Sequence, residues 1–175
     1  VEYRGRLTGS KIMKLNRLLC LLVLASLVSA CGFHLQSKPE FPLEIQQVKL
    51  EVQGPYSQFA RRLEAHLEQN GVNVVTTAPE AAILEVPVNA TRKEIQSIGD
   101  NARVREFLLR HTVEFRLVAS DGTDLVPRQT VEQTRVYSFN EQDILSAERE
   151  DEFLRKDLAD SLARMVVRRL GTFGK

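Results

Sequence analysis

Phe107-Leu108-Leu109-Arg110-His111-Thr112-Val113-Glu114-Phe115-Arg116-Leu117 is the stretch that decides the fold. Phe107, Leu109, Val113, Phe115 and Leu117 share one face at a period of two, opposite Arg110, Thr112, Glu114 and Arg116, the pattern of a half-buried strand. Ser120-Asp121-Gly122-Thr123 then predicts a hairpin whose second arm runs from Leu125 to Phe139. That arm is rich in Thr and Val but polar on both faces, so its register is not determined by pattern.

Upstream, Ile98-Gly99-Asp100-Asn101 is a turn signal. Before it, Ala82, Leu84, Val86, Val88 and Ala90 alternate with Glu85, Asn89 and Thr91. This predicts a long strand, in which Pro87 removes a ladder donor and marks an edge or a bulge. Further back, Phe59, Leu63 and Leu67 at steps of four predict a helix over 56–70, with Pro55 as its first residue and Asn70-Gly71 as its stop. Val72 to Thr76 is a short apolar piece, and Thr77-Ala78-Pro79-Glu80 a turn. Val48, Leu50 and Val52 alternate with Lys49 and Glu51 as a first strand. Downstream, Phe153, Leu154, Leu158, Leu162, Met165 and Val166 form the apolar stripe of a helix over 142–170.

The order strand, helix, strands, helix predicts an α+β two-layer sandwich, with two helices packed on one face of a four-stranded mixed β-sheet. The first strand and the next long one flank a helix and are expected parallel; the later hairpins are antiparallel. Lys49, Glu51, Glu85, Asn89, Glu114 and Arg116 make the second face polar.

The N-terminal region sets the compartment. Basic Lys14 and Arg17 precede the apolar run Leu18 to Leu27, which is too short to cross a bilayer core needing about 20 residues. Leu27-Val28-Ser29-Ala30-Cys31 then resembles a bacterial lipobox. The resemblance implies an S-diacylglycerol at Cys31, cleavage after Ala30 and N-acylation of the new terminus, an anchor of two or three chains. Residues 1–30 are thus read as upstream sequence plus signal, with Met13 as the expected start. Residues 31–42, with Pro39 and Pro42, form a lipidated tether, and 43–175 one domain. Gly32 after the cysteine favours the outer membrane.

Residues 1–30 carry five of the 24 basic and one of the 23 acidic side chains, so the remainder has 19 against 22 and a net charge of −3. That balance argues against a nucleic-acid partner, which needs an excess of Lys and Arg. Of the two cysteines, Cys20 lies in the signal and Cys31 is the lipid site, so no disulfide is available to the domain.

Chemistry-bearing motifs are lacking. His34, His66 and His111 have no second ligand at helical spacing, which argues against zinc, and there is neither a GxSxG elbow nor a phosphate loop. Asp121 and Asp124 lie in a turn, where Asp serves conformation, and Glu150-Asp151-Glu152 reads as a solvated helix face. The expected protein is not an enzyme and takes no cofactor or metal. What remains is a cationic cluster, Arg92, Lys93, Arg103 and Arg105, interleaved with Ile98, Val104 and Phe107, a mixture suited to an anionic lipid. Arginine on an exposed sheet edge also serves merely to block edge pairing.

From Cys31-Gly32-Phe33-His34-Leu35, through Asn70-Gly71-Val72 and Arg135-Val136-Tyr137-Ser138-Phe139, to the final helix, the chain resembles the LptE family of lipopolysaccharide-assembly lipoproteins. The resemblance implies a domain seated in the lumen of an LptD-type outer-membrane β-barrel, assisting barrel folding and lipopolysaccharide assembly at the surface. It further implies lipopolysaccharide contacts through basic residues near the turn between the middle strands and near the start of the last helix. Asp100 and Ala147 or Glu148 stand at the matching positions, so Arg103, Arg105 and Arg149 are the nearest candidates, with Arg92 and Lys93 behind them. The alternative is an independent outer-membrane lipoprotein that binds an anionic lipid or a cell-wall component; an anchored hydrolase is the third.

Overall fold

The computed structural model describes residues 45–100 and 102–172, together with 17, 41 and 42. Cys31 and the segments read as signal and tether lie outside these, except for Arg17, Phe41 and Pro42. Apart from Arg17, the described residues belong to one compact unit, Lys38–Lys175.

The sheet begins with β1 (Gln47–Val52), whose alternate side chains Val48 and Leu50 turn inward, Val48 fully buried. Helix α1 (Gln58–Gln69) starts where Ser57 Oγ accepts from Ala60 N at 3.2 Å, so Pro55 lies ahead of the helix and not at its first position. It stops at Gly71, whose φ of +88° lets Val72 N reach back to Leu67 O at 3.0 Å. Phe59, Leu63 and Leu67 are the buried stripe.

The apolar piece after α1 forms a strand of its own, β2 (Asn73–Val74), parallel to β1. The sheet therefore has five strands where four were expected, because two residues suffice to extend the β1 ladder after the helix returns the chain. Long strands β3 (Ala82–Ile98), β4 (Val104–Val118) and β5 (Asp124–Ser138) complete it in the order β2-β1-β3-β4-β5, with β3 parallel to β1 and antiparallel to β4, and β5 antiparallel to β4. Both helices cover one face, α2 (Ile144–Gly171) lying against β4, β5 and α1.

Pro87 sits in a bulge between Glu85 and Val88, where β1 also stops pairing with β3 at Val86. The extra residue shifts the alternation, so one face does not carry all the even positions. Leu84 and Val86 point into the core, but beyond the bulge Val88 and Ala90 oppose Glu114 and Thr112 on the outer face, and Asn89 and Thr91 oppose Val113 and His111 inside. Asn89 thus leaves the polar outer face to which its parity assigned it.

That outer face is a ladder of ion pairs. Arg116 holds Glu85 through two bonds of 2.7 and 3.1 Å, Arg110 reaches Glu94 and Glu132, and Arg128 reaches Glu114. Solvent-exposed pairs of this kind contribute little to stability. They do leave the face polar with most of its charges paired in place.

The core joins Val48, Leu84, Val113, Phe115 and Leu117 of the sheet to Phe59, Leu63 and Leu67 of α1 and Leu162, Val166 and Leu170 of α2. Each such side chain contributes roughly 1.5–3 kcal/mol by leaving water. Phe153 does not belong to it: the ring is 67% exposed, because its neighbour Leu154 takes the sheet side with Leu158, and adjacent helical residues diverge by about 100°. Met165 packs partly buried on the core, as its place in the stripe predicts.

Candidate functional site

Beyond Val86 the ribbon β3–β4–β5 runs on without β1, and the first half of α2 lies against its inner side. The second core here is small, with Leu109, Tyr137 and Leu158 buried and Phe107 and Leu154 packed around them. The β3–β4 turn closes through Gly99 N to Arg103 O at 2.8 Å and Ala102 N to Gly99 O at 2.9 Å, with Ala102 at a φ of +57°. Phe139 N donates to Arg105 O at 2.7 Å, bringing the exit of β5 beside that turn.

Two clefts open at this end, and Phe139 walls both. One, of about 300 Å³, is lined by Lys93, Phe139, Ile144, Ala147, Glu148, Asp151 and Arg155. The other, of about 470 Å³, is lined by Ser97, Arg105, Glu106, Ser138 and Phe139. Large apolar groups stay in water on β3 and α2: Ile95, Ile98, Ile144 and Leu145 are each more than half exposed. Exposed aliphatic side chains gathered beside cations favour an amphiphile over a purely ionic ligand.

The basic residues singled out from sequence are divided by the sheet. Lys93 lies on the helix side, opposite Leu109. Its ammonium is 4.1 Å from the Phe107 ring centroid, 5.2 Å from that of Tyr137 and 3.3 Å from Asp151 Oδ1. Arg92, one residue earlier, projects to the outer face opposite Arg110 and does not join it. Arg103 reaches across from the turn to Glu141 at 2.7 Å, Arg105 lines the larger cleft, and Arg149 is exposed on α2. Lys93, Arg103 and Arg105 are therefore associated with the β3–β4 end, while Arg92 faces elsewhere.

Sequence pattern missed Asp151, Tyr137 and Phe139 as parts of this site. Asp151 stands three residues before Leu154 and seven before Leu158, on the sheet side of α2 and not on a solvated face. Burial alone pushes its carboxyl up, but donors from Arg155, Tyr137 and Lys93 outweigh that and hold it below the usual range. Partial burial pulls Lys93 down, yet bonds to Tyr137 and Asp151 outweigh it and keep the ammonium above its ordinary value. Both groups are charged at neutral pH. The signal for Asp151 was its spacing to Leu154 and Leu158, hidden by flanking Glu150 and Glu152.

Neither described histidine prepares catalysis. His111 is 3% exposed, with Nε2 2.9 Å from Asn89 Oδ1 and its ring edge-on to Phe59. Asn89 Nδ2 donates to Gln53 O and Ser57 Oγ, so Oδ1 must accept and the His111 proton sits on Nε2. Burial, helped by the charge of Arg155, pushes His111 down to about 4. His66 bridges the helices at 2.9 Å from Asp160, yet it is lowered too, by burial and then by Arg164 and Arg62, which share the same carboxylate. Asp121 accepts from Thr123 N and Oγ1, the conformational role expected of it, and Asp124 lies 3.7 Å from Arg116. Among the described residues no three His, Cys, Asp or Glu side chains are grouped to hold a metal ion.

A model of the lipopolysaccharide-assembly family LptE matches residues 45–170, from the first buried residue before β1 to the last turn of α2. The chain belongs to the LptE family. It is 34% identical over 161 residues to the LPS-assembly lipoprotein LptE of Yersinia pestis (strain Pestoides F), covering 90% of this chain and 77% of that one. The same figures hold for the LPS-assembly lipoprotein LptE of Yersinia pseudotuberculosis (serotype O:1b). Among solved structures, lipoprotein B from Nitrosomonas europaea superposes with a TM-score of 0.69 at 26% identity, over 81% of this chain and 92% of that one. A minor lipoprotein from Acinetobacter baumannii shares the LptE-type fold with a TM-score of 0.65 at 23% identity, over 75% and 94%.

Proposed function

We propose that this LptE-family chain is a non-enzymatic outer-membrane lipoprotein of lipopolysaccharide assembly. It is anchored through acylated Cys31, is seated in the lumen of an LptD-type β-barrel, and binds lipopolysaccharide at the end of the β3–β5 ribbon. The observation that carries the reading is that Lys93 and exposed Ile144 line one cleft at this end and Arg105 lines the other, with Ile95, Ile98 and Leu145 also left exposed on β3 and α2 and Arg103 in the β3–β4 turn. Cationic groups match lipid-borne phosphates, and the aliphatic groups match the start of acyl chains. The ion-paired polar ladder on the outer face suits the hydrophilic lining of a barrel interior. Arg149, exposed on α2, is the further candidate contact; Arg92 belongs to the ladder face.

The first test is a gentle-detergent pull-down of the tagged full-length protein from outer membranes, with co-purifying proteins identified by mass. A stoichiometric barrel supports the assembly role. Recovery of the acylated chain alone overturns it and leaves an independent lipoprotein that binds an anionic lipid or cell-wall component. Ligand contact is tested separately: Arg103→Glu with Arg105→Glu is expected to abolish binding of purified lipopolysaccharide while leaving thermal melts unchanged.

A further inference from the structure

Of three successive acidic residues on α2, Glu152 bonds Lys156 on its own helix at 2.6 Å and stays in solvent. Asp151 turns the other way, its side chain 17% exposed, and ties three elements together. Lys93 of β3 approaches it at 3.3 Å, the Tyr137 hydroxyl of β5 donates to it at 2.8 Å, and Arg155 of α2 donates to its other oxygen. From Lys93 the contacts continue to the face of Phe107, whose ring meets Phe139 edge-on at 5.2 Å. Phe139 lines both clefts. A single carboxylate thus stands at the head of a series of contacts that ends at the lining of both.

We propose that Asp151 is the positioning residue of this end: it clamps β3, β5 and the start of α2 so that Lys93, Phe139 and Ile144 border a cleft of fixed width. The inference rests on the proposed binding of lipopolysaccharide at this end. The clamp is separable from general stability because the core beneath it is small, Leu109, Tyr137 and Leu158, while the main core lies under the other half of the sheet. Releasing it loosens the cleft and leaves the rest folded.

The experiment uses full-length protein in detergent with purified lipopolysaccharide, comparing wild type with Asp151→Asn, Lys93→Met and, as a control, Glu152→Gln. Glu152→Gln is expected to bind like wild type. Asp151→Asn and Lys93→Met are expected to bind about tenfold more weakly, the effect of losing one charge-assisted bond. In both, amide exchange should quicken over 95–107 and 139–151 and stay unchanged over 158–170. Wild type that binds no lipopolysaccharide overturns the underlying reading, and this inference with it. Wild-type binding that both variants match overturns the positioning role alone, as does an equal loss of protection in all three segments. If Asp151→Asn fails to fold, Tyr137→Phe decides, since it removes a bond to the same carboxylate and no proposed ligand contact: weaker binding with quicker exchange over 95–107 and 139–151 supports the positioning role, and wild-type behaviour overturns it.

Discussion

Acidification from pH 7 to pH 5 should cost this domain stability chiefly through His111. Its ring is enclosed by Phe59 of α1, Asn89 and Thr91 of β3, Gln133 of β5 and the Arg155 charge of α2, and its proton-free Nδ1 has no partner among the described residues. The folded state therefore takes up a proton only near pH 4, whereas an unfolded chain does so from about 6.5. Because the unfolded state binds more protons between those values, stability falls as pH drops through that window. At 1.36 kcal/mol per pKa unit the loss approaches about 3 kcal/mol below pH 4, and roughly 2 kcal/mol of it is present by pH 5. The depressed carboxylates Glu132, Asp121 and Asp151 lose their contribution at lower pH, below their ordinary values, so the range from 7 to 5 isolates the histidines. His66 contributes with the same sign, and a His111→Gln variant retains it. Urea titrations at pH 7, 6 and 5 on wild type and His111→Gln give the slope of stability with pH for each. The variant is less stable at pH 7, but its slope should be shallower by roughly 2 kcal/mol over the range. Equal slopes, or an NMR titration of His111 near 6.5, would refute the argument.

Leu158→Asp should unfold the domain, because Leu158 is fully buried under the clamp and a carboxylate there costs several kcal/mol; thermal melts check it, and a small shift would refute the assigned helix face. Phe153→Ala should change stability by less than about 0.5 kcal/mol, since a ring 67% exposed contributes little, against about 3–5 for a core phenylalanine; urea midpoints distinguish the two. Ala102→Gly should stabilise by up to about 1 kcal/mol, because Ala102 holds a positive φ that glycine adopts without strain; a falling midpoint would contradict that.

The layers, both hairpins and the parallel pairing of β1 with β3 were legible because apolar period and turn residues agree there. Phe107 to Leu117 is the clearest case: Leu109, Val113, Phe115 and Leu117 are all buried. Pattern failed where a single backbone event reset the period. Val88 and Ala90 keep the even parity of Leu84 yet lie on the other face, and nothing in their identity records the shift, only Pro87 before them. Within the site, Lys93 and Arg105 were found by charge, but charge does not tell which side of a sheet a residue occupies, so Arg92 was grouped with them. Asp151 was missed for a related reason: its acidity matched its exposed neighbours, and only a tertiary partner shows that it is buried and paired. Phe153 shows the converse, an aromatic ring whose hydrophobicity promised burial while Leu154 took the place.

The bulge at Pro87 also governs which length changes the gene can tolerate. Removing one residue there would restore the alternation from Leu84 through Lys93, and every side chain from Val88 to Ile95 would exchange sides. Lys93 would leave Asp151 and Arg92 would be driven against the aromatic cluster, so the far half of the ribbon would be rebuilt by a change that alters none of its residues. Insertions in the β4–β5 turn at Asp121-Gly122 carry no such penalty, since they lengthen a loop without moving any strand register. Length variation in this fold is therefore expected at that turn, with the interval between Glu85 and Lys93 held constant.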